Sequence, residues 1–180
     1  MKTAILLTFL FASTAAFAAG AAVAADAPKA PQPAKPVDAA SFWAGRWYEI
    51  ARTPNSYNRD CVAAVSDFAM KGGGLSESDA CHDKTPDGKE ETIVSPVKIL
   101  NPGQNSKVDV TYHLVFIPVH VENWVLDHEE GWSILVTPDL KTVHIYTREP
   151  HPPQALIDRL TKQIRDTGYA GELQFPAQTK

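Results

Sequence analysis

The fold of this chain is constrained most strongly by a series of short segments of alternating apolar and polar residues, each ended by turn-forming residues. From 107 to 116 the even positions are apolar, whereas the odd ones include Asp109 and His113. Turn signals such as Gly72-Gly73-Gly74, Pro86-Asp87-Gly88 and Pro138-Asp139 separate the segments at intervals of about 8 to 15 residues. This pattern is typical of a β-sandwich or β-barrel. Eight strands are predicted near 45–52, 62–70, 75–80, 90–100, 107–116, 122–127, 132–137 and 142–148.

One helix follows the strands. It begins at Pro152-Pro153, where proline suits a first helical position, and it ends near Gly168. Leu156, Ile157, Leu160 and Ile164 fall on one stripe, which predicts a helix packed on a sheet. A last short strand is expected within 171–175.

The amino terminus has the pattern of a secretory signal peptide. Lys2 precedes a short apolar run, and small residues follow it. We assign residues 1–24 to this signal, with cleavage after Ala18 or Ala24, and a retained membrane helix is the alternative. Residues 25–41 are rich in Pro and Ala and are predicted to form a flexible, extended linker, and residues 42–180 form the folded domain.

Charge and size exclude some classes of function. The chain has 180 residues, with 17 Lys and Arg against 21 Asp and Glu and a formal charge of −4. One domain is expected at this length, and nucleic acid is not an expected partner, since no basic excess is available to neutralise phosphates.

One longer motif indicates the fold more specifically than the alternation of apolar and polar residues does. The segment Gly45-Arg46-Trp47-Tyr48-Glu49-Ile50-Ala51-Arg52-Thr53-Pro54 resembles the first signature of the lipocalin family, in the form found in bacterial lipocalins and apolipoprotein D. Tyr146-Thr147-Arg148-Glu149-Pro150 resembles the last strand of that family. The resemblance covers roughly 42–175.

The resemblance implies an all-β fold: an eight-stranded antiparallel up-and-down barrel with the helix packed outside. It also implies that Trp47 and Arg148, with Gly45, form a structural plug at the closed end of the barrel. The middle signature departs from the family, because Leu126-Asp127-His128-Glu129-Glu130-Gly131-Trp132 lacks the usual tyrosine. The lipidation cysteine of many bacterial relatives is also missing, since the first cysteine is Cys61.

By this resemblance the expected function is binding, storage or transport of a hydrophobic small molecule, such as a fatty acid or lysophospholipid, in the bacterial cell envelope. The protein is expected to be periplasmic or secreted and soluble, as monomer or dimer, with transient membrane contact. A barrel of eight strands is wide enough for one small ligand. The expected cavity residues are Phe68, Val110, Tyr112, Leu114, Phe116, Ile134, His144 and Tyr146.

The two cysteines of this exported chain, Cys61 and Cys81, lie at facing ends of two consecutive predicted strands. A disulfide between them would stabilise the fold by roughly 3 kcal/mol. The alternative is a reactive thiol in the cavity, as in the isomerase members of the family.

No catalytic residue, cofactor or metal is predicted. The histidines lack the spacing of a zinc site, and neither a nucleophile elbow nor a phosphate-binding loop occurs. His144 is expected inside the barrel, as a hydrogen-bonded histidine or a ligand contact, and a haem or metal ligand is the remaining alternative. Two alternative functions remain open: an enzyme acting on a lipophilic substrate through His144 or Glu49, and a protein-binding module that uses the loop residues 117–123.

Overall fold

A computed structural model describes residues 29–114 and 116–179 of the chain. Its strands are β1 (Gly45–Arg52), β2 (Cys61–Lys71), β3 (Gly74–Asp83), β4 (Glu90–Ile99), β5 (Lys107–Leu114), β6 (Ile117–Glu129), β7 (Trp132–Val136) and β8 (Val143–Thr147). A short helix α1 (Ala39–Phe42) precedes them, and α2 (Gln154–Asp166) follows. The predicted signal peptide lies outside the described residues.

The eight strands form a closed antiparallel barrel in which each strand pairs with the next and β8 pairs with β1. The predicted fold class, an all-β barrel with one carboxy-terminal helix, is therefore confirmed. The last short strand is not formed: within 171–175 only Gln174 makes an isolated bridge, to Arg52. Among the described residues no helix is long and apolar enough to cross a membrane.

Helix α1 closes one end of the barrel. The Arg148 guanidinium lies 3.7 Å from the ring centroid of Trp47 and donates hydrogen bonds to the carbonyls of Ser41, Phe42, Ala44 and Arg46. Gly45 has a φ of +67°, which favours glycine. The stack of Trp47 on Arg148 that the resemblance implied is present. Its cation–π contact and the hydrogen bonds from Arg148 to the carbonyls stabilise the closed end.

Apolar residues form two clusters on opposite faces of the sheet. The inner cluster fills the closed half of the barrel and includes Trp47, Phe68, Val97, Val110 and Leu135. The outer cluster lies between the strands and α2, where the buried Leu160 and Ile164 of the helix pack with strand residues such as Ile145. Alternate residues of a strand point to opposite faces of the sheet, so β7 and β8 contribute apolar residues to both the inner and the outer cluster.

Residues 29–36 lie along the outside of the barrel, and Val37 packs in the inner cluster at the closed end. Ala30 and Val37 are buried, and their amides donate to the carbonyls of Pro138 and Gln104, at opposite ends of the barrel. Lys35 forms an ion pair with Asp127 at 2.7 Å. The flexible linker predicted for 25–41 is therefore wrong for its described part, because small and apolar residues between the prolines find buried positions on the barrel.

The predicted disulfide between Cys61 and Cys81 is confirmed. It joins β2 to β3 at the end of the barrel opposite α1, and their Cα atoms are 5.5 Å apart. At this end, which we call the mouth, lie the loops 53–60, 84–89 and 137–142 and the turn between β5 and β6. Both cysteines are bonded, so the reactive-thiol alternative is excluded.

Candidate functional site

The candidate site is the interior of the barrel between the inner apolar cluster and the mouth. The bond from the Tyr112 hydroxyl on β5 to Asp79 Oδ2 on β3 spans 3.0 Å between strands that are not neighbours, so both side chains point inward. Tyr112, Asp79, His144 and Tyr146 are only half-buried although they face the interior, and the His144 side chain is 21% exposed. The interior is therefore accessible at this level.

Five of the predicted cavity residues share this interior. Phe68 and Val110 are buried in the floor, where Phe68 packs edge-to-face against Trp43 at 5.0 Å. Tyr112, His144 and Tyr146 form part of the wall above them. The rings of His144 and Tyr146 stack with their centroids 5.8 Å apart. The backbone of Leu114 pairs with Ile117 at the end of β5, and its side chain lies outside the described part of the chain.

The prediction was wrong for Ile134. Leu135 of β7 pairs with His144 and belongs to the inner cluster, so the adjacent Ile134 must point outward. There Ile134 is 0% exposed and packs in the outer cluster beneath α2. Because every residue of β7 is buried, apolar character alone did not distinguish its two faces.

The prediction was also wrong for Phe116. The predicted strand 107–116 ends at Leu114, and Phe116 lies in the turn that follows. Its side chain is 93% exposed, and the next residue, Ile117, is 68% exposed. Both residues therefore project from the mouth instead of lining the cavity.

A buried ion pair occupies the β1 side of the interior. The Arg52 guanidinium donates to Glu49 Oε2 at 2.5 Å, and Nδ1 of His144 lies 2.6 Å from Glu49 Oε1. Glu49 and Arg52 are three residues apart, a spacing that normally points to opposite faces, but a β-bulge between Glu49 and Ala51 brings them together. Burial raises the pKa of Glu49, but His144 and Arg52 outweigh it, and the resulting pKa is lowered.

Two further carboxyls face the same interior from β3. Asp79 accepts hydrogen bonds from the hydroxyls of Ser66, at 2.5 Å, and Tyr112. Glu77 is 6% exposed, and its Oε2 atom has no hydrogen-bond partner among the described residues. Burial and the neighbouring Asp79 raise the pKa of Glu77 well above its usual value, and burial also raises that of Asp79. We call Glu49, Glu77 and Asp79 the acidic layer.

The sequence pattern does not identify Glu77 and Asp79 as residues of the interior. The segment 74–80 reads Gly-Leu-Ser-Glu-Ser-Asp-Ala, which has polar residues at both parities, so alternation did not identify an inner face. The signal was in the turn: a hairpin centred on Gly72-Gly73 pairs Phe68 with Glu77. Since Phe68 was expected inside, this register would have placed Glu77 beside it.

Other concave surfaces lie outside the barrel. One cleft of about 330 Å³ lies between the closed end and α2, lined by residues that include Trp132, Pro150 and Leu156. Another, also about 330 Å³, lies on the outer face of β1–β4 beside Gln178. Within the described ranges no three His, Cys, Asp or Glu side chains are arranged to hold a metal ion. The predicted cavity residues contribute to neither cleft.

A match to a family model shows the family of this chain. The model described as "Lipocalin-like domain" matches residues 37–178, which include the whole barrel and α2. The chain belongs to the lipocalin family. The sequence has no significant match among curated proteins.

Solved structures agree with this lipocalin fold. Insecticyanin from the tobacco hornworm Manduca sexta has a TM-score of 0.66 and 18% identity, covering 85% of this chain and 88% of that one. Lobster apocrustacyanin A1 has a TM-score of 0.56 and 15% identity over 84% and 92% of the two chains. The siderocalin Ex-FABP has a TM-score of 0.51 and 14% identity, covering 76% of this chain and 95% of that one. At such identities the similarity establishes the lipocalin fold alone.

Proposed function

We propose that this lipocalin binds one small hydrophobic molecule inside its barrel and carries it without chemical change. The half-buried wall above an apolar floor is the observation on which the proposal rests. Burial of apolar ligand surface stabilises a complex by about 25 cal/mol per Å² before the entropy of association is subtracted. Phe68, Val110, Tyr112, His144 and Tyr146 are the proposed ligand contacts, and Leu114 remains a candidate.

The ligand class that we propose is a lipid, such as a fatty acid or lysophospholipid, carried in a bacterial cell envelope. The resemblance of the first signature to bacterial lipocalins and apolipoprotein D supports this branch of the family. The siderocalin Ex-FABP functions through dual ligand specificities, and this property of that protein supports small-molecule binding by the lipocalin fold.

A periplasmic or secreted location is part of the proposal. The disulfide between Cys61 and Cys81 supports it, because such bonds persist in oxidising compartments. The signal peptide proposed for 1–24 would direct the chain there. Phe116 and Ile117 project from the mouth, and we propose that they contact a membrane transiently during ligand transfer.

Non-catalytic binding fits the interior better than the enzyme alternative. Glu49 is buried, and both of its oxygens are occupied, one by Arg52 and one by His144. A general base must be free to reach a substrate proton. The pair therefore resembles a structural ion pair, and neither residue is assigned a catalytic role.

Native mass spectrometry tests the proposal. The full chain would be exported, purified without detergent and sprayed from a volatile buffer, and bound molecules would be extracted and identified. We expect a stoichiometric hydrophobic molecule. A protein that is empty after such purification and that takes up no added lipid would contradict the proposal and would favour the protein-binding alternative.

A further inference from the structure

Two buried polar groups face each other in the interior without partners. Glu77 Oε2 on β3 and Ser95 Oγ on β4 have no hydrogen-bond partner within the described ranges, and the two residues are paired in register. Side chains opposite each other on one face of a sheet lie about 5 Å apart at Cβ. A buried polar atom without a hydrogen-bond partner lowers the stability of the fold by about 1–3 kcal/mol. Two such atoms side by side therefore indicate a binding position for another molecule.

The carboxyls of the acidic layer outnumber the cations beside them. Its three carboxyls face one guanidinium, that of Arg52, which is bound to Glu49, Gln174 and the carbonyls of Asn58 and Cys61. His144 is likewise bound to Glu49. In the described part of the chain no salt bridge involves Glu77 or Asp79. A ligand that carries positive charge and donates hydrogen bonds would complete this site, because it would favour the ionised forms of Glu77 and Asp79, whose pKa values are raised by burial in the protein alone.

We propose that Glu77, Asp79 and Ser95 bind the primary-amine head group of an amphiphilic ligand whose apolar part points toward the mouth. A primary ammonium has three donors, and it matches the oxygens of these three side chains. Tyr112 and Asp79 are half-buried, so the head group can approach them from the mouth. This inference rests on the proposed function and narrows it, since the acidic layer would disfavour a free fatty acid.

A ligand series of constant length tests the charge preference on the unaltered protein. Octylamine, octanol and octanoate would be titrated calorimetrically into the purified full chain at neutral pH. Because charge-assisted hydrogen bonds are about twice as strong as neutral ones, we expect octylamine to bind at least about tenfold more tightly than octanol, and octanoate to bind most weakly.

Two variants locate the effect. Glu77→Gln keeps the side-chain volume and removes the charge, and it is expected to abolish the preference for octylamine over octanol. Glu90→Gln removes the same charge from an exposed residue of the barrel, and it should retain the preference. A cooperative thermal unfolding transition in each variant would show that both fold.

The outcomes separate this inference from the proposed function. If octanol or octanoate binds as tightly as octylamine, the amine site is wrong, whereas small-molecule binding stands. If Glu77→Gln and Glu90→Gln keep the same preference, the cation binds elsewhere and the assignment to Glu77 fails. If none of the three probes binds, both the inference and the proposed function are contradicted.

Discussion

Glu49 and Glu77 face the same interior in opposite electrostatic surroundings. Glu49 has Arg52 and His144 on its two oxygens, and its pKa is lowered. Glu77 is buried beside Asp79 without a cation, and its pKa is raised. The first glutamate therefore stabilises the fold when it is ionised, whereas the second stabilises it when it is protonated.

Replacing Glu77 tests this difference through the pH dependence of stability. A carboxyl whose pKa is raised in the folded state contributes stability below its ordinary value of 4.5 and loses it as the pH rises. We expect Glu77→Gln to unfold with the same free energy as the parent protein at about pH 4, and to be about 1–3 kcal/mol more stable at about pH 8.

Urea unfolding of both proteins across this pH range measures the difference. The groups that face or influence Glu77 are Asp79 on its own strand, Glu49 and Arg52 on β1, Tyr112 on β5 and His144 and Tyr146 on β8. They remain in both proteins, so the comparison reports on Glu77 together with Asp79, whose pKa depends on it. A constant difference from pH 4 to 8 would show that the Glu77 carboxyl has the same pKa in the folded and unfolded protein, which would contradict its raised pKa.

Single residues were predictable where a motif or a covalent constraint fixed them. Trp47 and Arg148 followed from the family signature, and Cys61 and Cys81 from their places in a hairpin. Glu77 was not predicted, since a polar side chain in a strand is normally solvated. Its inward position depends on the register of the turn at Gly72-Gly73, which is a property of two strands together.

At the scale of elements, α2 packs on the outer face of the two barrel strands β7 and β8. Leu160 and Ile164 are buried by Ile134 and Ile145 on β7 and β8. The helix has no side-chain cap at its first residue, and its stability therefore depends mainly on this apolar contact.

Truncation of the helix contacts tests this dependence. Leu160 is fully buried, so Leu160→Ala should cost about 2–5 kcal/mol of unfolding free energy through lost burial and a cavity. Leu156, one turn earlier, is half-buried, and Leu156→Ala is a matched control that should cost about 1–2 kcal/mol. Chemical denaturation measures both, and equal losses would contradict the packing described for α2.

Most elements were predictable because alternation and turn residues repeat along the chain, and the helix stripe is equally regular. The inner and outer faces of β7 were not predictable, because α2 covers the outer face and apolar residues therefore occur on both faces. The segment 29–38 was predicted as a free linker from its prolines. Proline prevents regular pairing, but it does not prevent an extended chain from lying against a neighbouring surface.

At the scale of the whole molecule, the barrel is accessible from one end. Helix α1, with Trp47 and Arg148, closes the other end, and the extended segment 29–36 and α2 cover parts of the outside. A ligand of the interior must therefore enter through the mouth. Val121 of β6 is half-buried and pairs with the inward-facing Val110, so it lies on this path.

Binding of a neutral apolar fluorophore, N-phenylnaphthylamine, to two tryptophan variants tests the interior site most directly. Val121→Trp adds bulk inside the barrel, whereas Val94→Trp adds the same bulk on the outer face, where Val94 is 60% exposed. We expect Val121→Trp to weaken binding at least about tenfold and Val94→Trp to leave it unchanged. Equal binding by both folded variants would contradict a ligand site inside the barrel.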